Sequence, residues 1–408
     1  MRVSIVGAGM GSAEGLSVRA SRLIAEADLV VGAPRLVALA GGGHPGRVMA
    51  LTAAADVVDA LLEAHARVPE GSAVVLMSGD VGFHSGATPL LRRLRAHPEL
   101  TVQLVCGTSS LQELCARAGV PWSGAHVVSA HGRRANAAGA VAAHGLTFFL
   151  TGGEMKAHDV LSQVRDAGWG LCEAWAASCM GGGDERLRHG TVAELAGARY
   201  PDLTVVLVRN EAPIARSFQA PGIPDERFER GGVPMTKMEV RTLVVSQLRL
   251  RSDAVVWDVG AGTGSVSVEC GLAAPEGRVF AVERGEEGAG LIERNARALG
   301  AANVEVVRGC APEALAGLPA PDAVFVGGSG GQLGAIVRAA LDANPDARLV
   351  ITAISLETLA EAQRVLADAA PGEPSIACVS VARARKAGGS HLMCALNPVY
   401  LIAAGGER

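Results

Sequence analysis

Two glycine clusters with acids nearby are the positions in this sequence most evidently equipped for chemistry. Near the start, Gly7-Ala8-Gly9-Met10-Gly11 follows the apolar run Val3 to Val6, and past the middle Asp258-Val259-Gly260-Ala261-Gly262-Thr263-Gly264 follows Val255 to Trp257. A buried strand that ends in glycines lets the backbone turn tightly and approach a ligand where side chains would obstruct it. In the second cluster Asp258 precedes the glycines, and Glu283 ends the next predicted strand. A carboxylate at that strand end accepts hydrogen bonds from ribose hydroxyls, which serves NAD and S-adenosyl-L-methionine alike. Asp258 and the loop Gly309-Cys310-Ala311-Pro312-Glu313 favour S-adenosyl-L-methionine. An acid ahead of the glycines suits the methionine end of that cofactor, and Cys310 and Ala311 stand where adenine would lie. A dinucleotide fingerprint instead keeps the helix N-terminus clear for pyrophosphate.

The first cluster differs. Gly79-Asp80, Gly107-Thr108-Ser109-Ser110 and Ser129-Ala130-His131-Gly132-Arg133 end successive predicted strands, while Val31-Gly32-Ala33 stands where a ribose acid would be expected. That argues against a dinucleotide site and for another design that binds an adenosyl ligand. Asp80 either reaches the ligand or organises its own loop through backbone amides, as short acids do in turns. His131 and Arg133, in a loop at a strand end, are candidates to act on substrate. So is Ser329, among the glycines after Val324 to Val326, unless those glycines simply turn the chain. A basic group, Arg383, Arg385, Lys386 and His391, lies late in the chain and suits carboxylates, or else forms a solvated hairpin. Thr236, with Glu239 three residues on, reads as a helix N-cap whose free amides favour an anion.

These residues need strand ends to hold them. The first half alternates strands (Val3 to Val6, Leu29 to Val31, Ala73 to Met77, Thr101 to Val105, Val127-Val128, Thr147 to Leu150, Leu203 to Val208) with helices over Ser17 to Ala27, Leu51 to His65 and Thr88 to His97. In an open α/β sheet ligands gather at the carboxyl ends of the strands, so the small-residue loops share one edge. From Asn210 to Gly232 the prolines and glycines break any regular pattern. We therefore expect domains at 1–210 and 233–408 with a linker at 211–232. The second begins with a helix over Thr236 to Leu248. It continues as a seven-stranded sheet whose last strands lie near Ser375 to Val381 and Leu392 to Leu396.

Composition agrees with two domains. The 408 residues are 49% apolar and 19% charged, ample for two cores. A net charge of -4 gives no general attraction to nucleic acid or to an anionic membrane. No apolar run of transmembrane length and no charged-then-apolar leader is present, so a cytoplasmic protein is expected. The eight cysteines lack metal-ligand spacing, which predicts reduced, mostly buried thiols and no metal.

Taken together, the motifs carry a resemblance. Val6-Gly-Ala-Gly-Met-Gly, Ala27-Asp28-Leu29-Val30-Val31-Gly32, Ser78-Gly79-Asp80-Val81-Gly82-Phe83, Gly107 to Gln112 and Ser129 to Arg133 resemble the tetrapyrrole (class III) methyltransferases. Val233 to Arg241, Asp258 to Gly264 and Val324 to Gly331 resemble the decarboxylating precorrin methyltransferase domain, a class I fold. Their fusion in this order is similar to the bifunctional, decarboxylating precorrin methyltransferases. The resemblance implies a two-lobed α/β domain of the tetrapyrrole methylase type followed by a Rossmann-like class I methyltransferase domain. It implies S-adenosyl-L-methionine as cofactor, held by Gly9, Met10, Asp80, Phe83, Ser109 and Ser110 in the first domain. In the second it would be held by Thr236, Asp258, Gly260, Ala261, Gly262, Thr263, Gly264, Glu283, Cys310 and Ala311. The substrate would be an acidic tetrapyrrole, methylated at carbons 5 and 15 with loss of the ring C acetate carboxyl, and acted on near His131, Arg133, Ser329, Arg385 and His391. A homo-oligomer is expected. Met10 and Val81 stand where the family usually has proline.

Overall fold

A computed structural model describes all residues except 133, 215–220, 370, 371, 407 and 408. The chain divides into two compact units. The first comprises Met1–Ala135 and Gly145–Glu211, and the second comprises Ala212–Arg408 together with Asn136–His144. Both are α/β, as the motifs predict.

The first unit contains two five-stranded sheets. One holds β1 (Arg2–Gly7), β2 (Leu29–Gly32), β3 (Arg47–Ala50), β4 (Ser72–Met77) and β5 (Thr101–Val105), in the order β3-β2-β4-β1-β5. Every pairing in it is parallel. Strands β1, β2 and β4 are runs of buried Val, Ile, Leu and small residues, the pattern of strands covered on both faces. The second sheet holds β6 (His126–Ser129), β7 (Leu146–Leu150), β8 (Glu173–Ser178), β9 (Arg186–Thr191) and β10 (Thr204–Arg209), in the order β6-β7-β10-β8-β9. Apart from the parallel β6–β7 pair it is antiparallel. Strands β3, β8 and β9 are additions to the sequence reading. Glu173–Ser178 is rich in alanine and Arg186–Thr191 in exposed charge, so neither carries the apolar β-branched signal of a strand.

The second unit is built on β11 (Val255–Val259), β12 (Arg278–Glu283), β13 (Val304–Arg308), β14 (Ala323–Val326), β15 (Arg348–Ala353), β16 (Ser375–Val379) and, after a hairpin, β19 (Val399–Ala404). Their order is β13-β12-β11-β14-β15-β19-β16, with β19 antiparallel between β15 and β16. The sheet has seven strands, but Leu392–Leu396 is not one of them. Those residues lie mostly in β18 (Ser390–Ala395), which pairs with β17 (Ala382–Ala387) in a separate hairpin. The reason is burial: β18 is exposed throughout, whereas four of the six residues of β19 are buried.

Residues 221–232, expected to be linker, are built into the second unit. The amides of Gly222 and Ile223 donate to the Glu269 carboxylate at 2.9 and 3.0 Å, that of Glu229 to Asn295 at 2.7 Å and that of Gly232 to Glu287 at 2.7 Å. Prolines and glycines allow only a short 3-10 turn at Asp225–Arg227 here but do not prevent burial, and side chains meet backbone groups that no helix or sheet satisfies. Glu269 and Arg241 are both fully buried, with Arg241 Nε 2.7 Å from Glu269 and its Nη1 3.2 Å from Asp225. Arg241 also lies over the Phe228 ring at 4.6 Å. The N-cap expected at Thr236 falls instead on Lys237, which makes no side-chain cap. Asp225 supplies the missing acceptor, taking the Met238 amide at 2.9 Å, while the Thr236 carbonyl accepts from Arg241.

The cysteines are unbonded, and four of them, Cys106, Cys310, Cys378 and Cys394, are exposed, more than the sequence reading expected. Among the described residues no helix is long and apolar enough to cross a membrane. Removing one partner of a buried ion pair leaves an uncompensated charge, at a cost of about 3–5 kcal/mol. Glu269→Ala should therefore lower the stability of the second unit by about that much in urea unfolding, whereas replacing exposed Glu305, paired to Arg278, should change it by less than about 1 kcal/mol.

Candidate active sites

In the first unit the loops after β1, β4 and β5 meet without side chains between them. A Cβ on Gly7 would stand 2.7 Å from both the Gly107 nitrogen and the Gly79 oxygen. Gly9 and Gly79 exchange backbone hydrogen bonds of 3.2 and 2.8 Å. Asp80 joins these loops, its carboxylate accepting from Gly82 at 2.8 Å and from Gly107 at 3.0 Å. Of its two possible roles, the loop-organising one is visible directly. Ser109 caps the helix Ser110–Ala118 in a reciprocal arrangement with Gln112.

Met10 and Phe83 pack against the core of the second sheet, with Phe83 6.2 Å from Phe148 between ring centroids and Met10 against Gly181. Gly9, Met10, Asp80, Phe83, Ser109 and Ser110 thus belong to one group of strand-end loops. His131, in the loop after β6, is exposed and its Nδ1 lies 3.5 Å from the Thr151 carbonyl. Arg133 lies outside the described residues.

The second unit contains a cavity of about 1080 Å³ at the carboxyl ends of β11, β12 and β14. The first glycines form its floor. Gly260 has φ +71°, and a Cβ there would meet the Gly328 oxygen at 2.5 Å; Gly262 has φ +59° and lies under the Pro234 carbonyl. Both are positions that only glycine fills without strain. Glu283 faces the cavity while its oxygens accept from the amides of Gly262, at 2.9 Å, and Gly285, at 2.8 Å. That bond ties the acid at one strand end to the glycine loop of the next. Thr236, Ala261, Cys310, Ala311 and Ser329 also line the cavity.

Three of the expected cofactor residues lie elsewhere. Asp258 is fully buried and does not line the cavity; it accepts a hydrogen bond from Ser267, and its other oxygen has no partner among the described residues. Thr263 is buried with its carbonyl bonded to Asn295 at 2.9 Å, and Gly264 is pressed against Ile292. These residues shape the loop from beneath. Arg385 and His391 are likewise outside the cavity lining, on the exposed β17–β18 hairpin. Arg383 on the same hairpin is committed to Glu239 and Asp225, at 2.6 and 3.0 Å, and holds the Glu239 carboxyl below its ordinary range.

The lining contains two cations outside the basic cluster, Lys237, which adjoins the predicted cap at Thr236, and Arg284, which the sequence reading did not name. Arg284 immediately follows the acid at the end of β12, so the strand-end rule that located Glu283 also locates it.

Burial pushes the Asp258 carboxyl up to about 7, the Ser267 hydrogen bond opposes the shift and the negative Glu283 adds to it. Between pH 4 and 7 the folded state therefore holds a proton that the unfolded state has lost, and stability falls as pH rises through that window, by up to about 1.4 kcal/mol per unit. Asp258→Asn should flatten this slope in urea unfolding measured from pH 4 to 8; an unchanged slope would show that Asp258 is not its source.

Residues 2–196 match the family model of tetrapyrrole (corrin/porphyrin) methylases, and residues 226–404 match that of the precorrin methyltransferase domain. The chain is 32% identical over 360 residues to the precorrin-6Y C(5,15)-methyltransferase [decarboxylating] of a Sinorhizobium species, covering 87% of this chain and 85% of that one. It is also 48% identical over 190 residues to a probable cobalt-precorrin-6B C(15)-methyltransferase (decarboxylating) of Pyrobaculum calidifontis, covering 46% of this chain and 97% of that one. Among solved structures, a precorrin-6y C5,15-methyltransferase from Geobacter metallireducens is 41% identical with a TM-score of 0.43, over 45% of this chain and 95% of that one. By its identity along most of both chains to the Sinorhizobium protein, the chain belongs to the precorrin-6Y C(5,15)-methyltransferase (decarboxylating) family.

Proposed function

We propose that this protein methylates a reduced precorrin-6 at carbons 5 and 15 and decarboxylates its ring C acetate, giving precorrin-8X in cobalamin biosynthesis. The observation that carries the reading is the pairing of two different strand-end glycine sites in a chain whose likeness to the relative runs through both. We assign carbon 5 to the first unit, and decarboxylation with carbon 15 methylation to the second. The reading extends to a cytoplasmic homo-oligomer acting on an acidic tetrapyrrole, without nucleic acid or membrane as partner.

The residues suit S-adenosyl-L-methionine, which when bound supplies an activated methyl group for transfer to carbon. In the second unit Gly260 and Gly262 lack the Cβ that would strike the Gly328 and Pro234 backbone oxygens, so the loop can form the cavity floor, and Glu283 presents a carboxylate to the cavity for ribose hydroxyls. Cys310 and Ala311 offer small surfaces for an adenine face, and Thr236 lines the same space. In the first unit the loops holding Gly9, Asp80 and Ser109 serve the same purpose.

Around the substrate the protein's task is placement. Lys237 and Arg284 receive carboxylate arms of the macrocycle, Arg284 through its planar fork. The glycines beside Ser329 let the flat ring approach closely. In decarboxylation the bond between the acetate methylene and its carboxyl breaks, carbon dioxide departs, and the electron pair passes into the conjugated ring, which then takes a proton. Orientation of the macrocycle supplies much of the acceleration.

Incubating the protein with reduced precorrin-6 and S-adenosyl-L-methionine should give a product heavier by two methyl groups and lighter by carbon dioxide in mass spectrometry. An unchanged macrocycle would refute the reading. Gly260→Ala should abolish carbon 15 methylation and weaken S-adenosylhomocysteine binding to the second unit by about tenfold or more in calorimetry, equivalent to ~1.4 kcal/mol, while carbon 5 methylation persists.

A further inference from the structure

Arg35 of the first unit is unusual in its setting. It lies in the short helix Pro34–Val37, directly after β2, so it rises from the carboxyl edge of the parallel sheet where ligands gather. Its Nη1 donates to the Met10 carbonyl at 3.4 Å and its Nη2 to the Ser78 hydroxyl, which fixes the guanidinium between the loops after β1 and β4. Gly11, at φ +90°, makes way for it: a Cβ there would stand 2.7 Å from Nη1.

What the guanidinium lacks is an acid. Arg35 pairs with no carboxylate among the described residues, and unlike Arg19, which also lacks one, it stands among the strand-end loops. Crowding by the loops lowers its pKa, yet an arginine stays charged at any physiological pH. The residue remains solvent-accessible, and its two hydrogen bonds leave further donors of the fork free. A cation positioned by neutral acceptors, still reachable and without a counter-charge, is arranged to receive an anion from outside the protein.

We propose that Arg35 is a substrate-binding residue of the first unit, its guanidinium held by Met10 and Ser78 so as to pair with an acetate or propionate arm of the tetrapyrrole. The inference rests on the reading of the first unit as the carbon 5 methyltransferase. It separates two functions on one edge. The side-chain-free approach of Gly7, Gly79 and Gly107 belongs to the cofactor, and the charge at Arg35 belongs to the macrocycle.

The test uses the full chain with Arg35→Gln and Arg35→Lys. The glutamine variant should raise the KM for the tetrapyrrole in carbon 5 methylation about tenfold or more, with kcat and S-adenosylhomocysteine affinity close to wild type. The lysine variant, which keeps the charge and loses the fork, should fall between. Unchanged tetrapyrrole KM in the glutamine variant, or a parallel loss of S-adenosylhomocysteine affinity, would overturn the proposal, the latter leaving Arg35 as a brace for the loops. Absence of carbon 5 methylation in the wild type would instead refute the reading of the first unit. In that event fluorescence titration with uroporphyrin and with its fully methyl-esterified form still decides the role of Arg35. Weaker binding of the free acid alone by the glutamine variant supports it, and equal binding of the acid by both proteins overturns it.

Discussion

Backbone must touch backbone at the carboxyl ends of the parallel strands in both units, and much else in the protein accommodates that contact. In the first unit Gly7 meets Gly79 and Gly107, and in the second Gly260 meets Gly328, at distances that leave no place for a Cβ. The loops can come so close only because other groups hold them there. Asp80 fastens the Gly79 and Gly107 loops through two amides, and Glu283 fastens Gly262 and Gly285 in the same manner. Each unit has thus placed one carboxylate where it organises glycine amides, although the sheets and the surrounding loops are unrelated.

The second unit needs a further constraint. Its glycine loop leads into the helix Ser265–Ala273, which is buried almost all round, and that helix carries Glu269 into the interior. Arg241 answers it from the helix Met238–Leu248, and the segment around Asp225 closes the cluster. Arg383 then joins the β17–β18 hairpin from outside to Asp225 of this cluster and to Glu239 on the helix Met238–Leu248. One cluster of charges consequently fixes a loop segment, two helices and a hairpin around the cavity.

Much of this was readable from residue order. The parallel strands appear as short β-branched runs, their glycine ends mark the ligand edge, and Glu283 falls where a ribose acid should. The direction of side chains was less legible. Asp258 stands beside the glycines in sequence, yet it enters the interior beneath them. Glu269 lies in a helix without an apolar stripe, so nothing in its periodicity announces a buried ion pair. Arg385 and His391 look like a basic site because they are close in sequence, but they project from an exposed hairpin rather than into the cavity. The prolines and glycines of residues 221–232 go with a backbone that is irregular apart from one 3-10 turn at Asp225–Arg227, yet this stretch is bound into the second unit. Irregularity and independence are different properties, and contacts such as the hydrogen bonds of Gly222, Ile223 and Glu229 distinguish them.

That distinction bears on how such a gene could be divided. A cut placed at Gly232, where the second pattern restarts, would separate Asp225 and the 222–223 amides from the charges they neutralise, leaving Arg241 and Glu269 buried with fewer partners. A protein that carries the second unit alone must retain this preceding stretch of chain, or must have replaced its buried charges with apolar side chains. A division that keeps these partners therefore lies upstream of Gly222, in a place that secondary-structure breaks alone would not indicate.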